Sequence, residues 1–532
     1  MGVEGPGLDL ETTLTTRRRF LRDAAAVGGA LVGGPAFMAA TAAAATAAKP
    51  KRGGALNVGI SGGGASDTMN GFAGVSNIDL ARSCQLYESL VDYTHDFGLV
   101  PRLATEFIPS KTGTSMSVKL RKGVLFHNGK PMTADDVVYS YRYMLDLKNI
   151  TNVGPLLAAF TKSVDKIDAS TVLFNFKFPF NSFEDFAVLP GAPIVPVGYL
   201  PKQSPIGTGP FKFQSFTPGQ QSVFVRNPHY WGVDPHGNQL PYVDSVTIHD
   251  LSDDAARVNA LVSGAVEAVD NVPFALLPSV KANNTIAPLV SQTGNWYPIT
   301  MRVDQAPFND VRVRQAFRLM VDRPQLVQVA YGGEAALGND LFANTDSLYD
   351  HSIPQRVQDI EQAKSLLKKA GRSNMTVQLV TAPISAGVVE SCVVFAQQAK
   401  AAGVTVQLSK LDNTAFYNDQ YLKRPFSVDT WPTFQFVVDV AYSCGPGATY
   451  NDTHWNNAQF TKWYFELVGT QSPSLKQEIA NKMQELLWNE GGEIIAGIPN
   501  EIDGYSKKVT GFVPDKSGEP LSYYRFKNVS FV

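Results

Sequence analysis

The sequence is poor in cysteine and carries almost no net charge. Its 532 residues include three cysteines, Cys84, Cys392 and Cys444, and this odd, sparse count excludes a disulfide scaffold and permits at most one bridge. The formal net charge of −2 gives no basis for binding nucleic acid or for adhering to an anionic membrane. After residue 48 no apolar run is long enough to span a bilayer.

Motifs of common enzymes are also missing. We find no HExxH or CxxC pattern. The nearest phosphate-loop candidate, Gly123 to Gly129, has five intervening residues instead of four and places Pro131 where a magnesium-binding hydroxyl is needed. The seven histidines never pair at helical metal-ligand spacing. The sequence therefore predicts no catalytic residues, no metal ligands and no cofactor. A secreted hydrolase with a site assembled from distant residues stays open as an alternative.

The first 48 residues have the pattern of an export signal. Arg17, Arg18 and Arg19 precede Phe20 and Leu21, as in twin-arginine signals. A weakly apolar stretch follows over residues 24–45, and small residues suited to cleavage lie near its end. Glycines and a proline interrupt this stretch, which argues against a membrane anchor. Because no cysteine lies here, a lipid-modified N-terminus is not expected. We predict a twin-arginine signal over residues 1–48 and a periplasmic location.

The remaining sequence alternates strand-like and helical segments. Residues 55–60, 116–121 and 171–178 have strand character. Thr133 and Asp136 form a helix start in which the threonine hydroxyl is expected to cap a free backbone N–H. A helix is predicted over 355–370, and residues 375–408 then follow a strand–helix–strand order, which is typical of a parallel sheet. The predicted fold class is α/β.

Several motifs then carry a family resemblance. The first is Leu120 to Val137 (LRKGVLFHNGKPMTADDV), and the second is Gly207 to Phe211 (GTGPF), followed by Arg226 to Gly232 (RNPHYWG). The third is Ala306 to Phe317 (APFNDVRVRQAF), with Asp322-Arg323 behind it. In this order and spacing they resemble the bacterial extracellular solute-binding protein family five, the dipeptide, oligopeptide and nickel-binding group. Most of these residues also have a plain structural role as turns and helix caps.

The resemblance implies a two-lobed periplasmic binding protein of type II, in the large peptide-binding subclass. Lobe one would comprise residues 50–296 plus 498–532, and lobe two residues 297–497. The chain would cross the hinge twice, and the ligand would lie in the cleft between the lobes. Hinge closure around a ligand is the motion expected of such proteins.

The same resemblance implies a function and its partners. The chain would capture a peptide or another small organic solute and deliver it to the permease and ATPase subunits of an ABC importer. It would act as a monomer, without nucleic acid and with only peripheral contact to the membrane complex. A metal-chelate or oligosaccharide receptor of the same fold is the alternative. A purely structural envelope protein is less compatible with an interlobe cleft.

Candidate ligand contacts come from three segments. In peptide-binding members an acidic run follows a tryptophan; here the run after Trp431 is not preserved, although Asp439 could pair with a cationic ligand group. The alternative is that Asp439 is solvated or caps a turn. Aromatic residues there could stack on a ligand or pack in the core, and the glycine loop after residue 60 could approach a ligand or only end a strand. The predicted contacts are Gly63, Gly64, Ser66, Trp296, Tyr297, Trp431, Phe434, Asp439 and Tyr442.

Overall fold

The computed structural model describes residues 50–74, 76–199 and 205–532. The predicted export signal lies outside these residues. In the part that is described, the α-helices are Asn77–Leu86, Ala134–Leu145, Gly154–Phe160, Phe183–Ala187, Asp254–Ser263, Leu277–Ala282, Val311–Leu319, Arg323–Ala330, Ile360–Lys369, Val388–Ala399, Asn413–Phe416, Phe436–Ser443, Ala458–Gly469, Pro473–Glu490 and Pro520–Tyr524.

A mixed seven-stranded sheet combines strands from two separate parts of the sequence. Its strands, in spatial order, are Ile286–Ser291, Glu501–Ser506, Ala268–Val269, Ala55–Ile60, Ser245–Asp250, Gln221–Arg226 and Phe211–Thr217. Ala55–Ile60 pairs in parallel with both neighbours, and the other pairings are antiparallel. Leu56, Val58 and Ile60 are fully buried, which confirms the predicted strand over 55–60.

An antiparallel four-stranded sheet is inserted within this region. Its order is Ala104–Pro109, Ser115–Leu120, Thr171–Phe176 and Thr161–Asp168. Met116, Val118 and Leu120 alternate with more exposed residues, as the period of two in the sequence predicts. A hairpin of Val91–Tyr93 and Leu99–Pro101 and a short pair, Val509–Thr510 with Ser530–Phe531, complete the strands of this half of the chain.

The middle of the chain forms separate, smaller sheets. Phe426–Val428, Ile299–Met301 and Glu493–Ile494 form one, and Ala335–Leu337 pairs with Gly497–Pro499. Thr376–Thr381 and Thr405–Lys410 pair in parallel, with helix Val388–Ala399 between them in sequence. This confirms the predicted βαβ unit. The chain therefore passes between the large sheet and the smaller sheets twice, over residues 292–298 and again near residue 500.

The helix-capping contacts that the sequence indicates are present at three helix starts. The carboxylates of Asp310 and Asp322 accept hydrogen bonds from backbone N–H groups and cap the helices Val311–Leu319 and Arg323–Ala330. At the start of Ala134–Leu145 the Asp136 carboxylate accepts from the Thr133 backbone at 2.9 Å and from its hydroxyl at 3.1 Å. Together with the contact between the Thr133 side chain and the backbone of Asp136, these bonds form the predicted capping box.

Two of the sequence motifs, Leu120 to Val137 and Gly207 to Phe211, meet at one loop of the scaffold. A Cβ at Gly207 would lie 2.0 Å from the Leu86 carbonyl oxygen, so only glycine fits there. His127 secures the same segment, because its Nδ1 accepts from Gly207 N at 3.2 Å and its Nε2 lies 3.1 Å from the Gly209 oxygen. Burial lowers the pKa of His127 to about 4, so the imidazole is neutral. These contacts fix a loop of the scaffold.

The largest hydrophobic core extends across the predicted lobe boundary. It contains buried side chains of the helices Phe436–Ser443, Ala458–Gly469 and Pro473–Glu490, which lie between the two crossings, together with buried side chains between Leu56 and Tyr199. One contact is that of Phe178 with Phe465, whose ring centroids lie 5.0 Å apart. A second core is built from residues 299–428 and 494–496. The exact lobe boundaries stay a prediction.

Disulfide bonds and membrane-spanning helices were both considered from the sequence. Cys84, Cys392 and Cys444 form no disulfide, and burial raises the pKa of the Cys392 thiol to about 12. Within the described ranges, no helix has both the length and the hydropathy needed to cross a bilayer.

Candidate functional site

A cavity of 1130 Å³ lies beside both chain crossings. Gln292 and Thr293 from the first crossing and Asn500 from the second are part of its wall. Further wall residues come from the turn after strand Val91–Tyr93, from helix Phe183–Ala187, and from the start of helix Pro473–Glu490. Pockets for drug-sized molecules span about 300–1,000 Å³, so this one has room for a solute of at least that size.

The second crossing is fixed to the cavity wall by backbone pairing. Ala335 lies opposite Pro499 in a two-stranded sheet, and Asn500 N donates to the Glu334 oxygen at 3.0 Å. The Glu334 carboxylate also forms an ion pair with Lys281 at 2.9 Å. Strand pairing thus holds this part of the wall in a defined position relative to the crossing.

Asp185 projects from helix Phe183–Ala187 and lines the cavity. Burial raises the pKa of its carboxyl group to about 7, and Lys476 offsets only part of this effect. Lys476 lines the same wall, with its Nζ 3.3 Å from Ser182 Oγ and 3.4 Å from the Asn181 oxygen. Asp346 is another acid of the wall. Within the described residues, neither Asp185 nor Asp346 forms an ion pair with Lys476.

Asp346 connects the wall to a helix terminus. Its Oδ2 accepts from the backbone N–H of Phe436 at 2.9 Å, at the start of helix Phe436–Ser443, and its Oδ1 accepts from Leu348 N at 2.7 Å. Burial nevertheless raises the pKa of this carboxyl group. The backbone donors fix the orientation of Asp346 but do not supply a neutralising charge.

Unpaired polar atoms also occur in the wall. Gln435 is 6% exposed, and its Oε1 accepts from the Tyr93 hydroxyl at 3.0 Å. Its Nε2, together with Asn344 Oδ1 and Thr345 Oγ1, has no hydrogen-bond partner in the described part of the chain. Buried polar groups are normally satisfied. These atoms therefore mark places where a bound solute could complete the hydrogen bonding.

The predicted aromatic contacts form an internal stack. Trp296 and Trp431 lie parallel with centroids 5.1 Å apart, and their backbones pair through hydrogen bonds of 3.0 and 3.1 Å. Phe342 covers the other side of Trp296, also at 5.1 Å, and stacks in turn on Phe436 at 5.8 Å. Both faces of Trp296 are thus occupied by protein rings, and the stack joins the first crossing to residue 431.

The remaining candidates near this stack are also packed against protein. The ring centroids of Phe434 and Tyr442 lie 5.5 Å apart. Tyr297 is partly buried and packs against the second core. Asp439 is fully buried on helix Phe436–Ser443. Burial raises the pKa of its carboxyl group well above the ordinary value, and neither oxygen has a hydrogen-bond partner among the residues described. Such a carboxyl group is held neutral unless a cation reaches it.

The glycine loop lies against the large sheet. A Cβ at Gly63 would meet the Asp250 carboxylate, and Gly64 N donates to Asp67 Oδ1 at 2.8 Å. Ser66 is exposed. All nine predicted contacts lie in the described part of the chain, and none is among the residues that line the cavity. Their role in ligand binding stays a prediction.

Sequence reasoning did not find the charged wall residues. Asp185 follows Glu184 in the first turn of a short helix, Asp346 follows Thr345 in a loop, and Lys476 sits near the start of a long helix. No local pattern distinguishes them, because the cavity joins segments that are hundreds of residues apart. The only available hint was Gln435, which lies four residues after Trp431 within the segment that we singled out.

Together, the fold and the cavity define a class of protein. Two α/β regions, joined by two crossings beside a solute-sized cavity, are the architecture of a solute-binding protein. Comparison with known proteins identifies the family: residues 98–452 match the bacterial extracellular solute-binding proteins, family 5 Middle. The chain belongs to this family, as its motifs indicated. Its members are binding proteins, and the chain has their two-lobed α/β fold.

Individual relatives agree over nearly the whole chain. A glutathione-binding protein, GsiB of Escherichia coli strain 536, is 25% identical over 483 residues, which cover 87% of this chain and 93% of that protein. The binding protein AgaA from A.tumefacien R10, solved with agropinic acid, superposes with a TM-score of 0.77 at 22% identity, over 90% of this chain and 99% of that one. DppA from Helicobacter pylori, solved with the peptide STSA, also gives 0.77, at 20% identity over 90% and 98%.

Proposed function

We propose that this chain is the periplasmic receptor of an ABC importer, which captures a peptide or another small organic solute and delivers it unchanged to a membrane permease. The observation that carries the proposal is the 1130 Å³ cavity beside the two crossings, with unpaired polar atoms in its wall. A solute that contacts both sides of the cavity would bind the closed form better than the open one. This differential affinity shifts the population toward closure.

The proposal includes export, partners and lobe boundaries. Residues 1–48 would direct export by the twin-arginine route, and the mature protein would act as a monomer. Lobe one would comprise residues 50–296 and 498–532, and lobe two residues 297–497. The passage of the chain from the large sheet to the smaller sheets over 292–298, and its return near residue 500, support these hinge positions. The permease would recognise the closed receptor, and separate ATPase subunits would drive import.

Recovery of the natural solute tests the proposal most directly. Mature protein purified without added ligand should release a small solute on denaturation, and mass spectrometry would identify it. Protein freed of that solute should regain thermal stability as the solute is added back, with the shift growing with concentration. A metal chelate or an oligosaccharide in the released fraction would favour the alternative receptors. Recovery of a chemically altered solute after incubation would instead favour a hydrolase.

A further inference from the structure

The charges of the cavity wall do not balance. The wall contains four carboxylates and two lysines: Asp96, Asp185, Glu334, Asp346, Lys476 and Lys516. Glu334 is paired with Lys281 from outside the wall, and Asp96 lies 3.5 Å from Lys516 at the exposed rim. Asp185 and Asp346 then remain against the single ammonium group of Lys476. The interior of the wall therefore has an excess of one negative charge when both acids are ionised.

The two acids approach the cavity from different elements. Asp185 belongs to helix Phe183–Ala187, and Asp346 lies in a loop that caps helix Phe436–Ser443. Lys476 is already engaged with Ser182 Oγ and the Asn181 oxygen. Its ammonium group thus lowers the repulsion between the acids without pairing with either of them.

An independent feature of the same wall also points to a ligand. Gln435 is more than nine-tenths buried, its Oε1 is occupied by Tyr93, and its Nε2 has no partner among the residues described. Gln435 immediately precedes Phe436, whose N–H is bonded to Asp346. A ligand oxygen would satisfy the Nε2 donor, and a buried donor without a partner is unfavourable in the unliganded protein.

We propose that the cavity selects a positively charged organic solute, whose ammonium or guanidinium group lies between Asp185 and Asp346 while a carbonyl, carboxylate or hydroxyl oxygen accepts from Gln435. This inference rests on the proposed receptor function and specifies its substrate class. Asp185 and Asp346 would then be the residues that determine specificity.

The electrostatics of the unliganded wall agree with this assignment. Burial raises the pKa of both carboxyl groups. Lys476, Asp346 and Glu184 act electrostatically on Asp185, and Lys476 also acts on Asp346. A cationic ligand would supply the neutralising charge that Lys476 supplies only in part. Charge-assisted hydrogen bonds are about twice as strong as neutral ones, so the preference should be large.

Calorimetric titration of solute-free protein at pH 8 with N-acetylated and C-amidated Ala-Lys-Ala, Ala-Gln-Ala and Ala-Glu-Ala, which carry no terminal charges, tests the charge preference. We expect the lysine peptide to bind at least tenfold more tightly than the glutamine peptide, and the glutamate peptide to bind most weakly. Asp185→Asn should remove most of this difference. Glu184→Gln removes the same charge from the neighbouring position of the same helix, outside the cavity wall. This variant should keep the order of the three peptides, and each affinity should stay within about twofold of the wild-type value.

The outcomes separate this inference from the receptor function. Equal or tighter binding of the neutral or anionic peptide, or an unchanged preference in Asp185→Asn, would overturn the charge assignment and leave the receptor function standing. Absence of binding by the three peptides, by spermidine and by citrate, together with no released solute, would count against both. If Asp185→Asn does not fold, the wild-type titration at pH 6 decides, because protonation of Asp185 should shrink the preference for lysine.

Discussion

Buried carboxylates occur in two contrasting environments in this molecule. Asp340 lies in the core of the smaller sheets, where Arg323 binds it through both oxygens at 2.7 Å and Arg356 approaches to 2.7 Å. Burial alone would raise the pKa of Asp340, but these arginines hold it below the usual value. Asp185 and Asp346 line the cavity without such a partner, and their pKa values are raised. At Asp340 the scaffold supplies its own counterions, whereas at Asp185 and Asp346 the cavity leaves that role to a ligand.

Removing the scaffold charge should have the largest effect. Asp340→Asn leaves two buried guanidinium groups without their counterion, and breaking a buried pair in this way costs about 3–5 kcal/mol. Urea unfolding would measure the loss in the free energy of unfolding. Affinity of the protein that remains folded should be unchanged, because Asp340 does not line the cavity. A strong change in affinity with little loss of stability would break the contrast between the two environments.

The cavity acids should make binding depend on pH. The pKa of Asp185 is about 7 in the free protein, and a cation bound beside it favours the ionised form. The ionised fraction falls from about nine-tenths at pH 8 to about one-tenth at pH 6, so affinity for a cationic solute should be about tenfold lower at pH 6. Titration calorimetry across this range would measure it. A flat profile would show that the carboxyl group does not exchange a proton on binding.

The raised pKa of Asp185 affects the stability of the free protein in the opposite direction, because stability should fall as pH rises while affinity for a cation increases. A carboxyl group with a raised folded-state pKa stabilises the fold fully below its unfolded value of about 4, and this contribution is lost as pH rises toward the folded value. Asp185, at about 7, and Glu493 and Asp503, each at about 8, all belong to this group. Thermal unfolding of solute-free protein should therefore occur at a lower temperature at pH 8 than at pH 5.5. A saturating cationic solute should reduce the difference.

Asp439 offers the finest test of the contrast. Its carboxyl group is held neutral by burial, so Asp439→Asn should change the free energy of unfolding by less than about 1 kcal/mol. If Asp439 reaches the ligand, as we predict, affinity should fall several-fold, and calorimetry of the folded variant would detect this. Retained affinity would assign Asp439 to the scaffold behind Gln435.

Sequence alone predicted the elements better than the site. The helix starts at Asp310 and Asp322 and the βαβ unit over 375–408 follow from local patterns, because capping and periodicity depend on neighbouring residues. The cavity instead depends on which distant segments meet. The aromatic residues around Trp431 looked suited to ligand stacking, yet Trp296 has protein rings on both faces. Asp185 resembles any acid in a first helical turn until the fold places it in the wall.

The strand Glu501–Ser506 has a consequence for folding. It lies between Ile286–Ser291 and Ala268–Val269, and Ile286–Ser291 pairs with no other strand of the described chain. The whole middle region of the chain separates this strand from both of its neighbours in sequence. The large sheet therefore becomes continuous only through contacts of long sequence separation, which form slowly, and its two parts expose unpaired edges until those contacts are made.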